Sequence, residues 1–156
     1  MSGQDDIRQA TLRLVGQYQA LLGQGRWDDW IALWAEDGEL DFPFAPAGRQ
    51  RVYRGRAEIL AYMKAASGKM VIDGVEAMRM IPAEDPAVAM VEVSIRGRAA
   101  QSGSPYNQSY VLVFETEAGR LKRYREYWNP LVSIDVFGGR EAWTAHFGFP
   151  LAEGAA

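Results

Sequence analysis

One glutamate in the sequence has the neighbours expected of a proton-transferring carboxyl group. Glu126 lies in a strand-like segment, residues 120–129, in which Tyr124 and Trp128 alternate with it and therefore share its face. Apolar surroundings disfavour the charged form of a carboxyl group, so two flanking aromatic rings should raise the pKa of Glu126. A carboxyl group with a pKa near neutrality can act as a general acid or base. The open alternative is an exposed Glu126 that pairs with a nearby arginine.

Two further strand-like segments supply polar groups that could assist this glutamate. Glu92 and Ser94 share a face of one segment, and Gln108 and Tyr110 share a face of the next. Two carboxyl groups in one apolar cavity would have separated pKa values, so one could act as acid and the other as base. The phenol and the amide could orient a ligand carbonyl or stabilise negative charge on it. Glu92 could instead face solvent or a partner, and Tyr110 could simply pack.

Aromatic residues make up 12% of the chain, with five tryptophans, and such side chains often line a cavity for a flat organic ligand. The expected apolar walls of a substrate site are Trp30, Trp34, Phe42, Tyr62, Met70, Ile72 and Val75. Ser94, Gln108, Tyr124 and Trp128 would complete the substrate-binding set. Plain core packing remains open for each of these residues.

Composition excludes several other classes of protein. The 156 residues fit one domain, residues 1–156, and a net charge of −3 gives no basic surface for nucleic acid. The chain has no cysteine and one histidine, His146, so we expect no metal and no cofactor. The start of the sequence has acids where a signal peptide has bases, so we expect no signal peptide, and no apolar run approaches the ~20 residues of a membrane span. We therefore expect a cytoplasmic protein that binds a small-molecule substrate, with no nucleic acid and no membrane as partner.

Hydrophobic spacing predicts helices first and then a run of strands. The predicted helices cover residues 5–22, 27–37 and 56–66, and the predicted strands cover 39–44, 70–81, 87–99, 106–117 and 120–129. Residues 45–55 form a loop, and residues 131–156 pack back over the domain or a partner. The last four strands have short links and should pair antiparallel. The result is an α+β plan with helices on one face of a curved sheet.

The predicted loop and the start of the third helix hold four arginines, Arg49, Arg51, Arg54 and Arg56. Such a run usually forms a solvated face, although it could attract an acidic substrate.

The order of elements and several stretches of sequence resemble a known group. Four stretches resemble the SnoaL-like group of the nuclear-transport-factor-2-like (cystatin-like) fold: RAEILAYM, AMVEVSIRG, YNQSYVLVFETEAGRLKRYREYWNP and the segment 27–37. Within it, REYWNP at residues 125–130 resembles the last strand of the phenazine-biosynthesis A/B proteins. The resemblance implies a conical barrel, with three N-terminal helices packed on a curved antiparallel sheet that encloses a cavity. It also implies Glu126 as general acid, with Glu92, Gln108 and Tyr110 facing that cavity.

Some positions depart from the patterns of this group. The phenazine proteins have a helix histidine near residues 62–64 and an aspartate at the position of Ser94, and both are absent here. Limonene-type epoxide hydrolases differ at Glu92, Ser94, Leu40 and Phe42.

The resemblance therefore implies a cofactor-free acid–base enzyme with Glu126, Glu92 and Tyr110 as its catalytic residues. The reaction would be isomerisation, cyclisation, dehydration or condensation of an aromatic or polycyclic carbonyl compound. The open outer face of the sheet would form a homodimer. The alternative is a non-catalytic module of the same fold that binds a hydrophobic ligand or a protein.

Overall fold

The computed structural model describes residues 3–46 and 49–147. Its helices are α1 (Gly3–Gly23), α2 (Trp27–Ala32), α3 (Arg56–Ser67), α4 (Pro130–Val136) and α5 (Arg140–Phe147). Its strands are β1 (Trp34–Asp41), β2 (Val52–Arg54), β3 (Met70–Pro82), β4 (Val88–Ala99), β5 (Pro105–Glu117) and β6 (Arg120–Trp128). The predicted α+β class, with helices on one face of a curved sheet, is confirmed.

The six strands form one sheet in the order β2-β1-β6-β5-β4-β3. The links between β3, β4, β5 and β6 are short, and these strands pair antiparallel as predicted. β1 instead pairs parallel with β6, so the sheet is mixed rather than purely antiparallel. This parallel pair places the N-terminal strand beside the strand that carries Glu126.

The prediction of a helix over residues 27–37 is wrong beyond Ala32. Trp27, Trp30 and Trp34 have helical spacing, but α2 ends after six residues and Trp34 begins β1. The backbone N–H of Leu121 in β6 donates to the carbonyl of Leu33 at 2.9 Å, which draws the chain into the sheet just before Trp34. Tertiary pairing therefore overrides the local helical pattern.

The structure also differs from the sequence prediction at the end of β1, in the predicted loop and in the C-terminal segment. β1 ends at Asp41 rather than at residue 44, because Pro43 cannot donate a strand hydrogen bond. The predicted loop 45–55 contains the three-residue strand β2, which pairs antiparallel with β1. Two short helices, α4 and α5, occupy much of the C-terminal segment. Residues 148–156 and the side chain of His146 lie outside the described part of the chain.

The helices cover the inner face of the sheet with an aromatic core. Tyr18 of α1 is its centre, with ring centroids 5.3 Å from Trp30, 5.1 Å from Phe114 and 5.1 Å from Tyr124. Trp34 joins the same cluster at 6.3 Å from Tyr18. Together these rings join α1 and α2 to the centre of the sheet. Among the described residues, no helix has the length and apolarity needed to cross a membrane.

Candidate active site

The strand β6 turns Glu126 towards the helices. In the register between β5 and β6, Glu126 lies opposite Leu112 and Tyr124 lies opposite Phe114. Residues directly opposite each other on antiparallel strands share a face, and both partners from β5 are buried. Trp128 lies opposite Tyr110 in the same way. The structure thus places Tyr124, Glu126 and Trp128 on the inner face, as their alternation predicts.

The carboxyl group of Glu126 is partly buried and held by one hydrogen bond. The hydroxyl of Tyr124 donates to Oε2 of Glu126 at 2.8 Å. Burial raises the pKa of Glu126 from 4.5 to about 7, although the Tyr124 hydrogen bond and the positive charge of Arg49 oppose this rise. Near neutral pH both protonation states are therefore populated, so the group can accept or donate a proton.

Tyrosine hydroxyls surround this carboxyl group. Burial is the main cause of the raised pKa in five of them, and the charge of Glu126 contributes to each: Tyr18, Tyr62, Tyr106, Tyr110 and Tyr124. All five therefore stay protonated at neutral pH and can donate hydrogen bonds. The hydroxyls of Tyr106 and Tyr110 lie 3.0 Å apart and share one hydrogen bond.

The sequence analysis named Arg49 only as one of four arginines in a run, and the structure brings it next to the candidate site. Its Nη2 donates to the hydroxyl of Tyr62 at 2.6 Å. Its guanidinium carbon lies 4.8 Å from the ring centroid of Trp143 and between 5.5 and 5.9 Å from those of Phe42, Tyr62 and Trp128. The sequence placed Arg49 in an arginine-rich loop, and nothing in the spacing separated it from its neighbours. The structure thus adds a permanent positive charge near Glu126.

Gln108 faces inward as expected, but its amide binds backbone groups. Its Nε2 donates to the carbonyl of Asn129 at 2.9 Å, and its Oε1 accepts from the backbone N–H groups of Ser109 and Asn129 at 3.1 and 3.2 Å. The side chain of Asn129 in turn caps α4 by accepting from the N–H of Leu131. Gln108 therefore holds the connection between β6 and α4 in place.

The prediction that Glu92 and Ser94 face the same space as Glu126 is wrong. Glu92 is exposed and lies opposite Val111 of β5, on the outer face of the sheet. Ser94 shares that face, where its hydroxyl binds that of Ser109 at 2.9 Å. The inward positions of β4 are instead apolar: Ala89, Val91, Val93 and Ile95. Burial of this apolar set decides which face turns inward, and the resemblance had suggested the opposite.

The predicted apolar walls divide into three groups. Trp30 and Trp34 have no exposed surface and pack in the core, so they offer no face to a ligand in this structure. Ile72 and Val75 lie on the edge strand β3 with 49% and 58% of their surface exposed. Met70, at the start of that strand, is partly buried. Phe42 and Tyr62 do reach the site, because their rings border the Arg49 guanidinium.

A groove of about 710 Å³ lies mainly on the outer face of the sheet. Its lining includes Glu92, Ser94, Ser109, Val111, Tyr127 and Phe44. The groove also borders Tyr110 and Trp128. Glu126 is not part of its lining, so the groove and the carboxyl site are separate features. Among the described side chains, no cluster of three or more His, Cys, Asp or Glu could hold a metal ion.

Known proteins resemble this chain in sequence and in fold. The sequence pattern of the SnoaL-like domain matches residues 15–124. The chain belongs to the SnoaL-like family. The uncharacterized protein YesE of Bacillus subtilis is 34% identical over 123 residues, which cover 79% of this chain and 84% of YesE. An uncharacterized PhzA/B-like protein of Pseudomonas aeruginosa is 33% identical over 122 residues, or 78% of this chain and 86% of that protein.

A solved structure supports the same family and fold. It is a Bacillus subtilis protein provisionally named an isomerase, with a TM-score of 0.76 and 32% identity, covering 89% of this chain and 98% of that one. The PhzA/B-like relative in Pseudomonas aeruginosa confirms the resemblance to the phenazine-biosynthesis A/B group of this fold.

The raised pKa of Glu126 predicts a pH-dependent gain of stability in Glu126→Gln. Between about pH 4.5 and pH 7 the folded state binds more protons than the unfolded chain, so wild-type stability falls as pH rises through this range. Glutamine cannot ionise, so the variant should gain up to about 3 kcal/mol relative to wild type over that interval. Chemical denaturation at about pH 5 and about pH 8 measures this difference.

A matched control is Glu84→Gln, which changes an exposed glutamate in the turn before β4. Its effect on stability should be the same at both pH values. If the stability change caused by Glu126→Gln were also the same at both pH values, this result would contradict the account of the Glu126 environment.

Proposed function

We propose that this protein is a cofactor-free enzyme that moves a proton on a small aromatic or polycyclic carbonyl compound, with Glu126 as the proton-transferring group. One observation carries the proposal: the Glu126 carboxyl has a pKa of about 7 and is fixed by the Tyr124 hydroxyl at 2.8 Å. The provisional isomerase name of the Bacillus subtilis structure supports the same kind of chemistry.

The reaction would begin with the ionised carboxylate of Glu126. It takes a proton from the carbon next to the carbonyl group, and the electron pair of that C–H bond forms the enolate. The Tyr110 hydroxyl is neutral because burial raises its pKa, so it can donate a hydrogen bond to the enolate oxygen. The protonated Glu126 then returns its proton to a carbon or to a leaving hydroxyl. This sequence accommodates isomerisation, cyclisation, dehydration and condensation.

Tyr124 would act as a positioning residue in this scheme. It is buried in the aromatic core, where its ring lies 4.9 Å from that of Phe114 and 5.1 Å from that of Tyr18. A ring held in this way fixes the direction of the hydroxyl that binds Glu126. The hydrogen bond favours the charged carboxylate and keeps the pKa of Glu126 from rising further.

Exchange of α-protons in D₂O tests the proposed proton transfer without knowledge of the natural substrate. The probe is 2-tetralone, an aromatic ketone, and proton NMR follows the loss of its α-proton signal. We expect wild type to accelerate the exchange, with a rate that rises as pH increases through about 7 because the carboxylate is the active form. Glu126→Gln should lower the protein-dependent rate by about 10²–10⁴-fold.

Glu84→Gln serves again as the matched control and should exchange like wild type. Full activity in Glu126→Gln would overturn the assignment of Glu126. A ketone that binds to wild type but exchanges no faster than in buffer would instead favour the non-catalytic binding module.

We also propose a homodimer formed through the outer face of the sheet. Val111 and Phe44 are 40% and 55% exposed beside the groove. Arg79 and Glu92 lie opposite each other on this face and carry opposite charges, which can pair with their counterparts across a two-fold axis. The small-molecule site on the inner face would stay accessible in such a dimer.

Val111→Arg should break this dimer, because an arginine in the centre of the paired faces would bring two like charges together. Sedimentation equilibrium measures the change from a dimeric to a monomeric mass. The control is Gln17→Arg, which adds the same charge at an exposed position of α1. A monomeric wild type, or a dimer in Val111→Arg, would rule out this interface.

A further inference from the structure

Two tyrosine hydroxyls meet on the inner face of β5, where Tyr106 and Tyr110 lie four residues apart. Their oxygen atoms are 3.0 Å apart, and either hydroxyl can donate to the other. Tyr106 is only 3% exposed, whereas Tyr110 is partly exposed and borders the groove. The charge of Glu126 contributes to the raised pKa of both phenols, so both lie within its electrostatic reach. Of the two side chains, Tyr110 therefore keeps more surface for contact with a ligand.

Tyr110 and Glu126 are diagonal neighbours on the inner face of the sheet. Tyr110 pairs with Trp128, and Leu112, two residues further along β5, pairs with Glu126. Diagonal positions on antiparallel strands are about 7–8 Å apart. A carbonyl compound between the two side chains can present its C–H bond to the carboxylate and its oxygen to the phenol. The strand pairing thus brings a proton-transferring group and a hydrogen-bond donor to the same side of the sheet.

The hydroxyl of Tyr106 has further hydrogen-bond partners on the side away from Tyr110. Burial raises the pKa of Tyr106, and hydrogen bonds with Gln108 and Ser133 lower it. Ser133 belongs to α4 and is 3% exposed. Its Oγ accepts a hydrogen bond from Nε1 of Trp143 in α5 at 2.7 Å. Four polar groups from α5, α4 and β5 therefore form one hydrogen-bond chain, in the order Trp143, Ser133, Tyr106 and Tyr110.

The two ends of this hydrogen-bond chain determine the direction of its bonds. An indole N–H can only donate, whereas a hydroxyl can both donate and accept. A negatively charged oxygen of a ligand can only accept. When such an oxygen lies next to Tyr110, Tyr110 donates to it, Tyr106 donates to Tyr110, and Ser133 donates to Tyr106. Hydrogen bonds that all run in one direction polarise one another, which strengthens the last bond of the chain.

We propose that Tyr106 is the positioning residue of Tyr110, and that the hydrogen-bond chain from Trp143 and Ser133 directs the Tyr110 hydroxyl at an anionic oxygen of the ligand. The coupling between the hydroxyls is a property of the protein alone. The identity of the anionic oxygen as that of the enolate rests on the proposed function. Ser133 and Trp143 follow the segment that matches the SnoaL-like pattern, residues 15–124. The proposal therefore gives α4 and α5 a role in the site that this pattern does not include.

A double-mutant cycle on the α-proton exchange of 2-tetralone tests this proposal. Tyr106→Phe should lower the exchange rate at saturating ketone by about 2- to 10-fold, the effect of one lost hydrogen bond. Its KM should change little, and its pH midpoint should stay near 7 because Glu126 is still the titrating group. Tyr110→Phe should lower the rate by about 10²-fold. The double variant should be no slower than Tyr110→Phe, because Tyr106 acts through Tyr110.

Two further variants make the result specific to the hydrogen-bond chain. Ser133→Ala keeps both tyrosines and removes a hydroxyl one step further from the ligand, so it should lower the exchange rate by a smaller factor, about 2-fold. It also replaces Tyr106→Phe in the cycle should that variant not fold. Tyr127→Phe is the matched control, because it removes a tyrosine hydroxyl on the outer face of the sheet and should exchange like wild type.

Carbon-13 NMR of tyrosine labelled at the ring carbon Cζ tests the same coupling in the ligand-free protein. The Cζ signal of a phenol responds to the hydrogen bonds of its hydroxyl group. The signal of Tyr110 is assigned by its absence in Tyr110→Phe. We expect Tyr106→Phe and Ser133→Ala to shift this signal, and Tyr127→Phe to leave it unchanged.

Three results would overturn the proposal: a Tyr110 signal that neither variant shifts, a Tyr106→Phe exchange rate equal to that of wild type, or additive losses in the double variant. Failure of the proposed function gives a different pattern. If wild type exchanges the ketone no faster than buffer, the proposed reaction is refuted, and the NMR signal of Tyr110 alone decides whether Tyr106 positions it. Exchange that depends on Glu126 but not on Tyr106 would refute only the role of Tyr106.

Discussion

The hydrogen bond from Tyr124 to Glu126 links the folding core of this protein to its candidate chemistry. Tyr124 belongs to the cluster of rings around Tyr18, which joins α1 and α2 to the sheet. Two residues further along β6, the same strand presents the Glu126 carboxyl at the border of this cluster. The core therefore fixes both the position and the protonation of the acid. Loosening the aromatic cluster would disturb stability and chemistry together.

This arrangement gives the high aromatic content a physical explanation that differs from the initial expectation. Trp30 and Trp34 have no exposed surface. Both rings pack against Tyr18, and Trp34 also packs against Tyr124. Phe42 and Tyr62, with Trp128 and Trp143, hold Arg49. The rings thus act mainly by excluding water from one acid and one cation. Exclusion of water strengthens each electrostatic interaction in the site and is the main cause of the raised pKa of Glu126.

The sequence predicted those features that depend on simple periodicity. Alternation in β6 placed Tyr124, Glu126 and Trp128 on one face, and short links predicted the antiparallel pairing of the last four strands. The error at Glu92 came from following the resemblance instead of the alternation, since Val91, Val93 and Ile95 form the more apolar face of β4. That apolar face was visible in the sequence and would have turned Glu92 outward.

Arg49 and the short helix α2 were not predictable in the same way. The position of Arg49 depends on the ring of Phe42, which follows β1, and on rings from α3, β6 and α5, and these rings meet only in the folded chain. The end of α2 depends on a strand pairing with β6, more than eighty residues away, which local spacing cannot reveal. Long-range contacts therefore determine the part of the site that sequence reasoning missed.

Carbon-13 NMR titration of the side-chain carboxyl of Glu126 is the most direct test of this account. Its signal is assigned by its absence from the spectrum of Glu126→Gln in protein labelled at the glutamate carboxyl carbon. We predict a titration midpoint near the pKa of about 7 that burial produces in the folded protein. A midpoint close to the ordinary value of 4.5 would show that Glu126 is not held in a water-excluding environment and would contradict the central claim.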